Sequence, residues 1–188
     1  IIEDDYDSMI RYGGMPIPCL QGLDKNDCVV YLGSFSKMLL PSLRISFMVL
    51  PERLLPKYNL IKTRHTQSTS KIDQLVLASF MREGHMSKHL RKIKRIYKKK
   101  NTLLVNSFKN AFDDKLDVIS SDSGLHIVCE AITEKTEEKL KEDAKNLNIL
   151  LNIISSKNGK IIFSLNYSGI IMDEIHSFTT LLGKALFQ

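Results

Sequence analysis

The chain has 188 residues, 43% of them apolar and 26% charged, with a formal net charge of +6. This is the balance of a globular protein, not of a disordered or fibrous one. No apolar run reaches the ~20 residues a bilayer span needs, the opening Ile1-Ile2-Glu3-Asp4-Asp5 reads as strand and not as a secretory leader, and the three scattered cysteines (Cys19, Cys28, Cys129) speak against a disulfide framework, so a cytoplasmic protein that contacts no membrane is expected.

Residues 1–5 read as the end of a buried strand. Such a strand needs neighbours, which makes the chain the expected C-terminal part of a longer protein. Residues 6–24 read as irregular, punctuated by Gly13-Gly14 and Pro16-Ile17-Pro18. Strands are expected at 28–33 and 44–50, with a tight turn at Ser34-Phe35-Ser36-Lys37 between them. Pro51-Glu52-Arg53 opens a helix, because proline is tolerated in a first turn. A polar loop at 64–70 leads to a helix at 72–82, which Gly84 ends. The spacing then predicts one long helix over 87–112, with Leu90, Ile93, Ile96/Tyr97, Leu104 and Phe108 as its buried stripe. The remainder reads as a small α+β unit: strands near 115–120, 125–130, 149–154 and 161–166, a charged helix at 133–147 opened by Thr133-x-x-Thr136-Glu137, and a last helix at 173–186 with Asp173 at its N-terminus. The division expected is 1–86 and 87–188.

Several patterns have more than one reading. The basic run from Arg82 to Lys100 suits a surface for nucleic acid or an acidic partner. Without a base-reading motif or interleaved aromatics, it suits the solvated face of a helix better. Asp4-Asp5-x-Asp7 could form a divalent-metal cluster, but it lacks further acidic ligands nearby. His85 and His89 have zinc-ligand spacing without a third ligand, so capping or surface roles are expected and no metal. His126 and Cys129, in an apolar strand, read as packing residues.

The chemistry concentrates in the first 44 residues. Lys37 sits on a turn between apolar runs, a poor place for a solvated charge and a good one for an amine that forms a Schiff base. Ser34, Ser36 and Arg44 offer hydroxyls and a guanidinium to a phosphate. A pyridoxal phosphate site needs these groups, a carboxylate for the ring nitrogen and a donor to the ring phenolate. Asp4 and Tyr6 are of the right types.

Three runs carry a resemblance: Ile2-Glu3-Asp4-Asp5-Tyr6-Asp7-Ser8-Met9-Ile10-Arg11-Tyr12, Pro16-Ile17-Pro18-Cys19-Leu20-Gln21-Gly22-Leu23-Asp24, and Tyr31-Leu32-Gly33-Ser34-Phe35-Ser36-Lys37 through Arg44. Together they resemble the aminotransferase-like domain of MocR-type regulators of the GntR class, within the aspartate-aminotransferase superfamily of fold type I pyridoxal phosphate proteins. Asp73-Gln74, Glu83-Gly84-His85, His89-Leu90-Arg91 and Gly124-Leu125-His126 extend the likeness along the chain. It departs at Met9 and Ile10, where the family run has Glu and Phe. Tyrosine follows the aspartate by two residues, not by the three of many aminotransferases, which favours the regulator branch.

The resemblance implies an α/β fold: part of a type I pyridoxal phosphate transferase large domain, followed by an α+β small C-terminal domain. It implies that Lys37 bonds the cofactor aldehyde, Asp4 pairs with the pyridine nitrogen, Tyr6 donates to the phenolate, and Ser34, Arg44 and Ser36 hold the phosphate. It places the arginine for a substrate carboxylate near a strand where this sequence has Lys160, which lacks the bidentate fork. It also implies upstream pieces of the site and an N-terminal winged helix-turn-helix that contacts DNA. The expected function is an effector-sensing, homodimeric regulator domain that responds to an amine or amino acid, with little or no transaminase turnover. The alternative is a class I/II aminotransferase acting on an amino acid, with Lys37 as general base. A third expectation is that the chain, lacking half the site, holds no cofactor.

Overall fold

The structure, a computed structural model, describes residues 1–5, 8–11, 13, 17–64, 69–121 and 123–188. The chain divides into two compact units, Ile1–Lys92 and Ile93–Gln188.

The first unit is built on a three-stranded sheet of β1 (Ile2–Asp5), β2 (Val30–Ser34) and β3 (Ser46–Val49), in that order. β1 and β2 run parallel, with Ile2 opposite Val30 and Asp5 opposite Gly33; β2 and β3 run antiparallel, with Ser34 opposite Ser46. A parallel pair needs a crossover, and it contains a short helix, α1 (Leu20–Leu23), inside the stretch expected to be irregular. Four residues are too few to show helical periodicity. What holds α1 is remote in sequence: the Glu3 carboxylate accepts the Leu20 and Gln21 amides at 2.8 and 2.9 Å. Asp24 then turns the chain into β2 by accepting the amides of Asn26, Cys28 and Val29. These bonds, that of Asn26 first, hold its carboxyl below the usual range. β1 was expected to be buried, yet Ile1 and Ile2 are exposed. Among the described residues it pairs on one side only, with β2.

After β3 the chain makes a 3-10 turn at Glu52–Leu54, whose first amides bond the Asp27 carboxylate, and enters α2 (Leu55–Lys62). Ser70 caps α3 (Lys71–Arg82) through the Asp73 amide. Gly84, at φ +76°, separates α3 from the long α4 (His85–Phe112), as the glycine suggested.

The second unit packs the later part of α4, α5 (Glu137–Asn146) and α6 (Ile175–Phe187) with an antiparallel sheet of order β4 (Leu116–Ser120), β5 (His126–Ile132), β7 (Lys160–Asn166), β6 (Asn152–Lys157). Alternation puts Ile127, Cys129 and Ala131 on the buried face of β5, and Ile161, Phe163 and Leu165 on that of β7. In the helices of the same unit Leu104, Phe108, Leu140, Leu182 and Leu186 are fully buried. Tyr167, also fully buried, satisfies its hydroxyl by donating to the Gly124 carbonyl at 3.1 Å.

The starts of α5, β6 and α6 differ from expectation. α5 begins at Glu137, with Thr136 as its cap, because Thr133 is held elsewhere: its amide bonds the Gly159 carbonyl and its hydroxyl the Leu186 carbonyl. β6 begins at Asn152, not 149, because Ile149 and Leu151 enter the core before pairing starts and so mimic strand alternation. Asp173 lies in a 3-10 turn, Met172–Glu174, ahead of α6.

Candidate functional site

β1 and β2 place the first two candidates. Side chains alternate along a strand, and Asp4 stands opposite Leu32, so Asp4, Leu32 and Ser34 share one face of the sheet. The register sets the Asp4 and Ser34 backbones about 8 Å apart on that face. The Asp4 side is open, since Asp4 is exposed and Ser34 half-buried. β2 ends at Ser34, and the turn that follows brings half-buried Lys37 just beyond the strand end. Three bonds shape the turn: Ser36 donates its amide to the Ser34 Oγ (3.2 Å), Leu39 to the Phe35 carbonyl (2.9 Å), and Phe35 to the Ile45 carbonyl of the returning chain (3.1 Å).

Arg44 ends the 3-10 turn Pro41–Leu43 with φ 50° and ψ 33°. This is the left-handed region, which costs a residue bearing a Cβ about 1–2 kcal/mol; such strain collects at functional positions. The conformation reverses the chain so that β3 returns beside β2 and Ser46 pairs with Ser34. Among the described residues, neither Asp4 nor Arg44 makes an ion pair. The backbones of Asp4, Ser34, Ser36, Lys37 and Arg44 thus lie towards one end of the sheet, and they carry a carboxylate, two hydroxyls, an amine and a guanidinium. This donor set fits a phosphorylated pyridine aldehyde: negative charge for a ring nitrogen, an amine for the aldehyde, and donors for a phosphate. Tyr6 lies outside the described residues.

The opposite face has a different character. Asp5 and Tyr31 point there, and the Tyr31 hydroxyl donates to the Asp5 carboxylate at 2.7 Å. Burial, then that carboxylate, push the Tyr31 phenol up to about 12. Asp5 also accepts the Ser8 amide (3.0 Å) and hydroxyl. The Phe47 ring lies across Gly33, where a Cβ would overlap it, and packs against Phe35 and Tyr31 with centroids 5.3 and 6.1 Å apart. Beside this cluster is a pocket of about 200 Å³ bordered by Asp5, Met38, Met81 and Met86.

Because Asp4 and Asp5 face opposite sides of the sheet, they cannot chelate one ion; Asp7 lies outside the described residues. Among the described residues, no cluster of His, Cys, Asp and Glu could hold a metal. His85 pairs with Glu83 at 3.2 Å and lies tilted against the Phe80 ring, whereas His89 bonds the Met38 carbonyl at 2.8 Å. That last contact was missed in the sequence, where a helical histidine 51 residues from the turn carries no signal. Lys160 lies 2.7 Å from Glu130 across the β5–β7 pair, so its charge is already answered. Cys129 is fully buried, and burial pushes its thiol up to about 12, consistent with packing.

A lysine turn at the end of a parallel strand, with a carboxylate on the neighbouring strand and an α+β unit after a long helix, defines a pyridoxal-phosphate-type transferase fold. The chain belongs to the aminotransferase class I and II family, whose model matches residues 6–175; that fold family is pyridoxal-phosphate-dependent. The resemblance to MocR-type regulators is borne out by its relatives. The chain is 39% identical to the "Uncharacterized HTH-type transcriptional regulator YdeL" of Bacillus subtilis over 155 residues, 82% of this chain and 34% of that protein. It is 34% identical to the "Probable rhizopine catabolism regulatory protein MocR" of Rhizobium meliloti, over 82% of this chain and 31% of that protein. Among solved structures, Pyrococcus horikoshii kynurenine aminotransferase, in complex with PMP, superposes with a TM-score of 0.83 at 23% identity, over 98% of this chain and 46% of that one. Its likeness shows the expected fold. The chain spans about a third of the length of the curated relatives it matches.

Proposed function

We propose that this chain is part of the pyridoxal-phosphate-binding, effector-sensing domain of a MocR-type transcriptional regulator, with Lys37 as the residue that bonds the cofactor. The observation that carries the site is the sheet register, which sets Asp4 and Ser34 on one open face and starts the Lys37 turn where that face ends. When bound, pyridoxal phosphate supplies an aldehyde and an electron-withdrawing ring. Lys37 offers its amine to the aldehyde carbon. Asp4 holds a proton on the ring nitrogen. Ser34, Ser36 and Arg44 donate hydrogen bonds to the phosphate, and Tyr6 is assigned as donor to the phenolate.

The regulator reading draws its support from relatives named as HTH-type transcriptional regulators. On this reading DNA is contacted by a domain outside this chain, the effector is an amine or amino acid, the whole protein is a cytoplasmic homodimer, and residues 1–86 and 87–188 are the two parts of the domain. Among the described residues, no helix is long and apolar enough to cross a membrane. Ion-paired Lys160 leaves recognition of an effector carboxylate to another group.

The purified chain should be mixed with pyridoxal phosphate, reduced with borohydride and digested. A pyridoxyl group is expected on the peptide that carries Lys37, absent in Lys37→Ala, with about tenfold weaker loading in Asp4→Asn. Label spread over surface lysines and unchanged in Lys37→Ala would sink the assignment. Loaded protein given amino acids should release no keto acid; sustained turnover near ~1 s⁻¹ or above would select the aminotransferase alternative.

A further inference from the structure

We infer that His89 is a positioning residue for the Lys37 turn; the inference rests on the reading of Lys37 as the cofactor-bonding lysine. His89 lies one turn into α4, and its Nε2 is 2.8 Å from the Met38 carbonyl. A carbonyl can only accept, so Nε2 carries the proton and donates. Met38 is the neighbour of Lys37 in the chain, and its own side chain is buried (7% exposed). The carbonyl that follows Lys37 is therefore tied to a rigid helix from outside the turn. From inside, the turn is closed by the Leu39 amide on the Phe35 carbonyl and the Ser36 amide on Ser34.

The consequence is directional. A turn of five residues held only by its own bonds can rotate its peptide planes, and each rotation swings the lysine Cα relative to Asp4 and Ser34. A bond from α4 to the peptide unit beside Lys37 removes that freedom before any ligand arrives. Preorganisation of this kind raises affinity and reactivity without touching the reacting atoms. Nothing in the local sequence of the turn supplies this anchor, since the two residues are 51 positions apart.

Two substitutions test it on the full 188-residue chain. His89→Leu keeps bulk and removes the donor, and His89→Gln places an amide donor at about the same reach. Amide hydrogen exchange at Leu39 should be about tenfold faster in His89→Leu and near the native rate in His89→Gln, with the β2 amides unchanged in both as the control for folding. Pyridoxal phosphate trapped on Lys37 by borohydride should need about tenfold more cofactor in His89→Leu and return towards native in His89→Gln. Native exchange at Leu39 and native trapping in His89→Leu would overturn the inference, as would His89→Gln behaving like His89→Leu while the β2 amides stay protected. If β2 itself exchanges freely in His89→Leu, the comparison of His89→Gln with the native chain decides: unchanged Leu39 exchange supports the anchor and accelerated exchange overturns it. A native chain that takes no label at Lys37 would refute the site reading, and the Leu39 exchange alone would still decide the anchor.

Discussion

Adjacent aspartates with opposite fates show how much of the site is set one residue at a time. Asp4 faces the open side of the sheet, while Asp5 is consumed by Ser8 and Tyr31. The Tyr31–Asp5 contact gives a pH prediction. The Tyr31 phenol is raised from 10.0 to about 12, so the folded chain keeps a proton that the unfolded chain releases. Its stabilisation is fully present below pH 10 and is lost as pH rises towards about 12. Urea unfolding monitored in the first unit should show that loss in the native chain and a flatter profile in Tyr31→Phe. At neutral pH Tyr31→Phe should cost about 1 kcal/mol, the net value of the hydrogen bond. Lys37, Asp4, Ser34 and Arg44 were legible in the sequence as candidates, because residue types and spacing single them out. The left-handed backbone of Arg44 was not, since φ is imposed by where the chain must go next.

Elements were legible where periodicity runs long and obscure where a distant side chain makes them. α4 shows its apolar stripe over many turns; its late members, Leu104 and Phe108, are fully buried, and Lys88, Arg91, Arg95, Lys98 and Lys99 are exposed as expected of a solvated face, whereas Lys100 at the end of the basic run is buried and donates to the Ser168 carbonyl. α1, by contrast, depends on Glu3. The start of α5 is not legible locally because two threonines compete for the cap, and only the Gly159 carbonyl of the β6–β7 turn and the Leu186 carbonyl of α6, which claim Thr133, decide between them. Thr136→Ala should therefore destabilise the second unit by about 1 kcal/mol, and Thr133→Ala should act through its buried bond to Leu186 and not through helix α5. Urea midpoints, with the helical signal followed separately, would tell them apart. In β2, Gly33→Ala should displace the Phe47 ring and cost about 1–3 kcal/mol of stability in the first unit, read from its denaturant midpoint. The β6–β7 hairpin, Asn158 at φ 53° and Gly159 at φ +74°, is one the local Asn-Gly pair could have signalled.

At the scale of the whole molecule, burial is unequal. Among the described residues, eleven of the twelve largest fully buried side chains lie in the second unit, and Ile10 is the exception. In the first unit Ile72, Leu75 and Val76 of α3 are at least 63% exposed. Stability follows buried apolar contact, so amides of β5 and β7 should exchange most slowly and those of β1 fastest. Phe163→Ala should cost about 3–5 kcal/mol, seen as a lowered urea midpoint for the second unit. By itself the sequence determined the long α4, the family resemblance with the α/β fold it implies, and the candidates for the site, because these reside in helical periodicity, in motifs and in local spacing. Tertiary structure alone decided which face Asp4 takes, that Asp5 answers to Tyr31, that Lys160 is spoken for by Glu130, and that His89 reaches the Lys37 turn. Those outcomes depend on strand register and on contacts between residues as many as 51 positions apart, which only the folded chain brings together.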